Sequence, residues 1–249
     1  MGGAHVFPGG SVDRADHLDD ADLICDGVAD AAARLRDVPA GAAVALHVAA
    51  IRELFEEAGV LLARRLGALL SRTGDDAAWW LEYRRQLAAG TLTIAAVARR
   101  ESIRLALDAL VYAAHWVTPD TEARRFDTRF FLAAVPPDQH AAHDDGETTH
   151  GEWMTPADAV ARCRRGEIAL PPPTWTTLRA LERFGTVAEA MAWARSRTVP
   201  RVQPGMIQRG DTRIVLLPGD PAYHAVAGFD AIERRFILEG GRWRPAEPD

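Results

Sequence analysis

RELFEEAGV, residues 52–60, sets three carboxylates within five positions of an otherwise alanine-rich, aliphatic stretch, and then reaches a glycine. An α-helix turns about 100° per residue, so Glu53, Glu56 and Glu57 project into one narrow sector. Like charges at these spacings repel by roughly 0.2–0.5 kcal/mol per pair, and Arg52, about 100° to the side, is the single compensating cation. Two readings meet the pattern. One is a solvated acidic face. The other is a set of hard oxygen ligands gathered for Mg²⁺ or Mn²⁺, whose charge removes the repulsion. Gly59 suits the left-handed turn that ends such a helix.

Working outward, residues 43–58 predict a strong helix. Before it, Asp13 to about Pro39 is acidic and alanine-rich, which predicts a solvent-facing helical insertion anchored by Leu18, Leu23, Val28 and Leu35. AHVF (4–7) reads as a short strand entering the turn Pro8-Gly9-Gly10. After it come predicted helices at about 75–89 and 93–107, then strands at 110–117 and 129–135. HAAHDDGETTHG (140–151) is a polar loop, Thr155-Pro156 opens a helix, and Pro171 to Pro173 break the chain before helices near 174–184 and 186–197. Beyond Pro200, TRIVLLPGD and ERRFILEGGRW predict strands with turns, a small β appendage over 200–249.

A formal net charge of −6 argues against a general binder of nucleic acid or membrane surface. Two cysteines, Cys25 and Cys163, are too few for a disulfide framework, so a reduced cytoplasm is the expected setting. No apolar run is long enough to span a bilayer, and MGGAHVFPGG lacks the pattern of a secretory signal.

Arg52, Glu53, Leu54, Glu56, Glu57, Gly59 and Val60 match every set position of R-E-U-x-E-E-x-G-U, with U aliphatic. This is the second half of the Nudix box, G-x5-E-x7-R-E-U-x-E-E-x-G-U, and the chain resembles the Nudix hydrolases. The first half is displaced. Phe7-Pro8-Gly9-Gly10 resembles the family's lead-in, Gly10 with five residues reaches Asp16, and 35 residues then stand in place of seven. A long insertion inside the box resembles the branch of the peroxisomal coenzyme A diphosphatase and its bacterial relatives.

The resemblance implies an α/β fold, a Nudix-type α/β/α sandwich with a mixed sheet over residues 1–199 and an insertion at 14–42. It also implies one or two strands ahead of Phe7. Only Gly2 to Val6 lie there, so the native chain is expected to start upstream of Met1; true loss would expose a sheet edge and leave room for a homodimer. By the same resemblance Glu53, Glu56 and Glu57 are ligands of Mg²⁺ or Mn²⁺, and Glu53 also orients or deprotonates water. Arg52 holds a glutamate in its working rotamer. Gly9 and Gly10 let the loop pass close to a diphosphate, with the Gly10 carbonyl offered to a metal. Asp16 replaces the family's first glutamate with a shorter side chain, which leaves its role open, with loop stabilisation as the expected one.

A further loop acid is expected as a catalytic group: Glu147, with Glu152 second, against the alternative of a solvated acidic turn. Arg125, with Arg124 and Arg129, is placed to meet a substrate phosphate, or else is structural. His140, His143 and His150 beside Asp144 and Asp145 are a weak zinc pattern. His47 is expected to pack or meet water, and Trp79, Trp80, Trp153, Trp175 and Trp193 to pack in the core. The implied reaction is hydrolysis of a diphosphate linkage, in coenzyme A or acyl-CoA. Competing readings are a diphosphatase for NADH or ADP-ribose, and a catalytically inactive binding module. Each takes a small-molecule nucleoside-diphosphate-type partner.

Overall fold

The computed structural model describes residues 4–71, 77–139, 151–223 and 232–247. The chain divides into two compact units. One comprises Pro8–Tyr112 and Phe131–Glu152; the other comprises Met1–Phe7, Ala113–Phe130 and Trp153–Asp249.

The first unit carries the sequence signature. In chain order it holds α1 (Ala21–Ile24), β1 (Cys25–Asp26), α2 (Val28–Arg34), α3 (Ala40–Ala58), β2 (Ala63–Arg65), β3 (Ala68–Leu69), α4 (Ala77–Ala88), α5 (Ile94–Arg100) and β4 (Arg104–Ala106). Its sheet runs β1-β4-β2-β3, with β1 parallel to β4 and the other pairings antiparallel. The long helix α3 forms as its composition dictates. Alanine favours helix, and Val44, Val48, Ile51 and Phe55 recur at helical spacing to make one stripe, all buried. Gly59 ends it at φ 68°, its N–H donating to the Phe55 carbonyl at 2.9 Å. Helix α4 packs there, with the Trp80 ring 5.0 Å from that of Phe55.

Several sequence expectations change here. The insertion is no single solvent-facing helix. It holds a 3-10 turn at Arg14–Asp16, two short helices and a two-residue strand that joins the sheet beside β4. Ile24, Cys25, Ala31 and Leu35 are its buried apolar residues, whereas Leu23 is 72% exposed. Arg104 ties the segment down, donating to the backbone carbonyls of Asp22, Leu23 and Cys25 and pairing with Asp26. Burial pushes the Cys25 thiol up to about 12, so it stays protonated and packs as a small apolar group. The helix expected over 93–107 stops at Arg100; Ser102 adopts φ 51° and the chain returns as β4. The hairpin β2–β3, which turns through Leu66 and Gly67 at φ 51° and 84°, is a further difference, since the sequence shows an aliphatic flank there.

In the second unit, β7 (Arg201–Val202) runs parallel to the later part of β5 (Val111–Val117), at His115 and Trp116, in a sheet ordered β6-β5-β7, where β6 is Asp127–Leu132. Strands β8 (Gly205–Arg209), β9 (Thr212–Leu216), β10 (Arg235–Glu239) and β11 (Arg242–Ala246) form an antiparallel meander. Helices α6 (Pro156–Arg164), α7 (Pro172–Leu181) and α8 (Val187–Ser196) complete it. Thr155 caps α6 as expected, accepting from the Asp158 N–H. The proline run starts α7 rather than merely breaking the chain, because Pro171 is its cap and proline fits the first turn. Residues 4–7 make one bridge, Ala4 to Ala169, rather than a strand. The core gathers Trp116, Val160, Trp175, Val202, Leu217 and Phe236. Trp153, expected inside, is 70% exposed.

A buried side chain closes the first unit's sheet end. Gln139 accepts from the Leu61 N–H and donates to the carbonyls of Leu61 and Leu70, each at 2.9 Å, so one amide stands in for a strand's backbone. Gln139→Leu takes the side-chain partner from the Leu61 N–H and the Leu70 carbonyl, each costing about 1–3 kcal/mol, while the Leu61 carbonyl keeps the Ala63 N–H. Urea denaturation is expected to show a loss of about 2 kcal/mol or more, with an unchanged slope.

Candidate active site

Every residue of the split box, from Gly10 to Val60, lies in the first unit. Glu53, Glu56 and Glu57 occupy the face of α3 opposite its core stripe, and all three are only partly exposed. The side chains of Glu53 and Glu56 are 13% exposed. A solvated acidic face would not be covered in this way.

Arg52 is the hub. Its Nη1 donates to Glu53 Oε1 at 2.8 Å and to Glu56 Oε1 at 3.3 Å. Its Nε and Nη2 grip both oxygens of Asp16 at 3.0 Å, and Nη2 also donates to the Ser11 carbonyl at 2.8 Å. Asp16 is fully buried and accepts from the Asp13 N–H at 2.8 Å. Its role, open in the sequence, is here that of counter-ion and anchor: it holds the arginine that holds the glutamates. Burial opposes charge on Arg52, but the Asp16 hydrogen bonds and the surrounding carboxylates outweigh it and raise its pKa. Burial raises the Glu56 pKa, with Arg52 working the other way and Glu53 and Asp13 adding to the rise.

The lead-in loop meets this face. The Gly9 N–H donates to Glu57 Oε2 at 2.9 Å. At Gly10 a Cβ would collide with the Glu53 carboxylate, so any other residue would push that carboxylate from the place where Arg52 holds it. Below the face, Arg84 of α4, which the sequence reading passed over, donates to the Glu56 carbonyl at 3.2 and 2.9 Å and to the Glu57 carbonyl at 3.2 Å.

The donor chemistry fits a hard divalent cation: three carboxylates on one helix face, a glycine loop against one of them, and half-buried charge that a cation would offset. Among the described residues no three acidic or imidazole side chains stand converged on one point. The physical reason is visible: Arg52 draws Glu53 and Glu56, while the Gly9 amide draws Glu57.

Arg125 is exposed in the second unit and pairs with Asp120. Glu152 is exposed. Glu147 and the histidines 140, 143 and 150 lie outside the described residues. His47 is fully buried, its Nδ1 bonded to the Ala43 carbonyl at 2.8 Å and its ring 4.7 Å from that of Phe131.

Two outcomes follow. Asp16→Ala takes the partner from the buried Arg52 Nε and one partner from Nη2, and is expected to cost about 1–3 kcal/mol in thermal or urea unfolding. Glu56 has its pKa raised on folding, so the folded chain holds that proton more tightly than the unfolded one. It therefore destabilises the fold as pH rises through the carboxylate range and above. In chelator, Glu56→Gln is expected to melt higher than the parent at neutral pH, with the gain vanishing toward acid.

Residues 23–181 match the family model described as the NUDT19 Nudix domain. The chain is 29% identical over 263 residues to acyl-coenzyme A diphosphatase NUDT19 of Gallus gallus, across 90% of this chain and 69% of that protein. To the protein of that name from Homo sapiens it is 30% identical over 203 residues, across 72% of this chain and 51% of that protein. The chain thus spans between half and about two-thirds of the length of these relatives. The crystal structure of a NUDIX hydrolase from Alicyclobacillus acidocaldarius superposes with a TM-score of 0.60 at 26% identity, covering 76% of this chain and 81% of that one. No helix among the described residues is long and apolar enough to cross a membrane. With its split box folded into one carboxylate face on an α/β framework, and a family model matched over more than half its length, this chain belongs to the Nudix hydrolases of the NUDT19 Nudix domain family.

Proposed function

We propose that the chain hydrolyses the diphosphate linkage of coenzyme A or an acyl-CoA, using Mg²⁺ or Mn²⁺ held by Glu53, Glu56 and Glu57. The observation that carries this reading is the α3 face itself, where three half-buried carboxylates lie together, two of them held by one buried arginine and the third met by a glycine loop. The substrate class is supported by the likeness to proteins named acyl-coenzyme A diphosphatase.

A diphosphate resists hydrolysis because its own oxygens repel a nucleophile. Bound divalent ions would offset that charge and lower the pKa of a coordinated water. The chain's residues have separate tasks. Glu53, beside the close-lying Gly10, is the group placed to orient a water and take its proton. Arg52 keeps Glu53 and Glu56 in fixed rotamers without leaving the protein interior, since Asp16 and Ser11 hold its other nitrogens. The Gly9–Gly10 loop lets a phosphate approach the backbone without a side chain in the way. The loop acid Glu147 and the phosphate contact of Arg125 remain part of this proposal as the second proton acceptor and the binder of a distal phosphate.

Purified protein incubated with Mg²⁺ or Mn²⁺ and a panel of CoA, acyl-CoA, NADH and ADP-ribose tests the reading. The expected products are 3′,5′-ADP and (acyl-)phosphopantetheine. Release of AMP from NADH or ADP-ribose alone would move the substrate class, and no product from any of them would leave a binding module. Glu57→Gln is expected to lower turnover beyond the roughly 10–100-fold typical of losing a residue that merely supports a metal ligand, with an unchanged circular-dichroism spectrum.

A further inference from the structure

We propose that Arg84 is a positioning residue for the metal-binding face of α3: by holding the backbone carbonyls of Glu56 and Glu57, its guanidinium sets where those two carboxylates point. The proposal rests on the reading of that face given above.

The last four carbonyls of an α-helix lack partners within the helix. In α3 the Gly59 N–H takes one of them, that of Phe55. The next two belong to Glu56 and Glu57, and both receive Arg84. Arg84 is 4% exposed, so this contact is desolvated and the guanidinium is held in place. Its own helix is pinned by Trp80 against Phe55 and by the buried Tyr83 and Leu87. A rigid strut therefore runs from the core to the two peptide units that carry the candidate ligands.

The electrostatics point the same way. The C-terminal end of α3 carries the negative pole of the helix dipole, and the Glu56 and Glu57 side chains add two carboxylates there. The last turn of α3 contains no basic residue of its own. Arg84 supplies the missing positive charge from outside, on the backbone side, as Arg52 does on the side-chain side. Both Nε and Nη2 reach the Glu56 carbonyl, and Nη2 also reaches Glu57. Only a planar fork makes that set of bonds; an ammonium is a point donor on a flexible stem. Errors of a fraction of an ångström in ligand placement weaken a metal site, so a peptide-level clamp acts on affinity and turnover rather than on substrate binding.

Manganese binding to the protein without substrate, followed by electron paramagnetic resonance, reads this directly. Arg84→Met is expected to fold and to weaken the Mn²⁺ Kd about tenfold, with kcat reduced and KM at saturating Mn²⁺ within about twofold of the parent. Arg84→Lys is expected to fall between the two, and carries the same comparison if Arg84→Met does not fold. Ile103→Ala loosens the core of the same unit outside α4 and leaves the guanidinium and its helix, and is expected to keep Mn²⁺ affinity within about twofold. A folded Arg84 variant that binds Mn²⁺ as the parent does overturns the proposal, as does Ile103→Ala weakening binding equally. Parent protein that binds no Mn²⁺ instead overturns the reading of the α3 face. Parent protein that binds it yet cleaves no diphosphate overturns the assigned reaction and leaves the Arg84 comparison standing.

Discussion

Arg52 and Asp16 stand thirty-six positions apart in the chain and meet as a buried, bidentate ion pair. The functional face depends on that contact. A helix that gathers Glu53, Glu56 and Glu57 on one side repels itself, and burying part of that charge makes the conflict worse. Arg52 answers it, but a buried guanidinium is itself costly unless its remaining donors are satisfied. Asp16 and the Ser11 carbonyl satisfy them. The two halves of the split box are thus joined by one side-chain contact. The entropic cost of closing a loop grows only slowly with its length, so a long insertion between the halves is tolerated while that contact is kept.

The inserted segment is not idle chain. It places Cys25 beside Leu105 in the sheet and contributes Ile24 and Ala31 to the core of the same unit, with Leu35 also fully buried. Its acidic residues find arginines on the elements it covers: Arg99 bonds Asp20, and Arg104 and Arg64 reach Asp26. Acidity that looks like a solvated surface in the sequence is, at these positions, the glue that fastens the segment down.

Legibility followed the range of the interactions. Helix α3 and its glycine stop, the capped start of α6 and the strand β5 were readable, because each is set by local spacing, capping or turn chemistry. Strand β4 was not, since Arg104 to Ala106 carry helix-compatible residues and become a strand by pairing with Cys25 and Ala63. The short β1 was hidden for the same reason, within an alanine-rich, helical composition. In the site, Glu53, Glu56, Glu57, Arg52 and Gly10 stood out by a spacing that the chemistry requires. Asp16 was half-seen, its burial invisible in an acidic run. Arg84 carried no signal, because a bond to a backbone carbonyl leaves no trace in the identity of the residue that supplies it.

By itself, the amino-acid sequence determined the family, the helix that carries the acids, and which side chains share its polar face, because helical periodicity and a dense local motif need no distant partner. Only the tertiary structure decided that Asp16 is the counter-ion of Arg52, that Gly10 lies against Glu53, and that Arg84 grips the end of α3. Those facts depend on chain segments brought together by burial of apolar surface, and the identities of the residues involved do not encode who their neighbours will be.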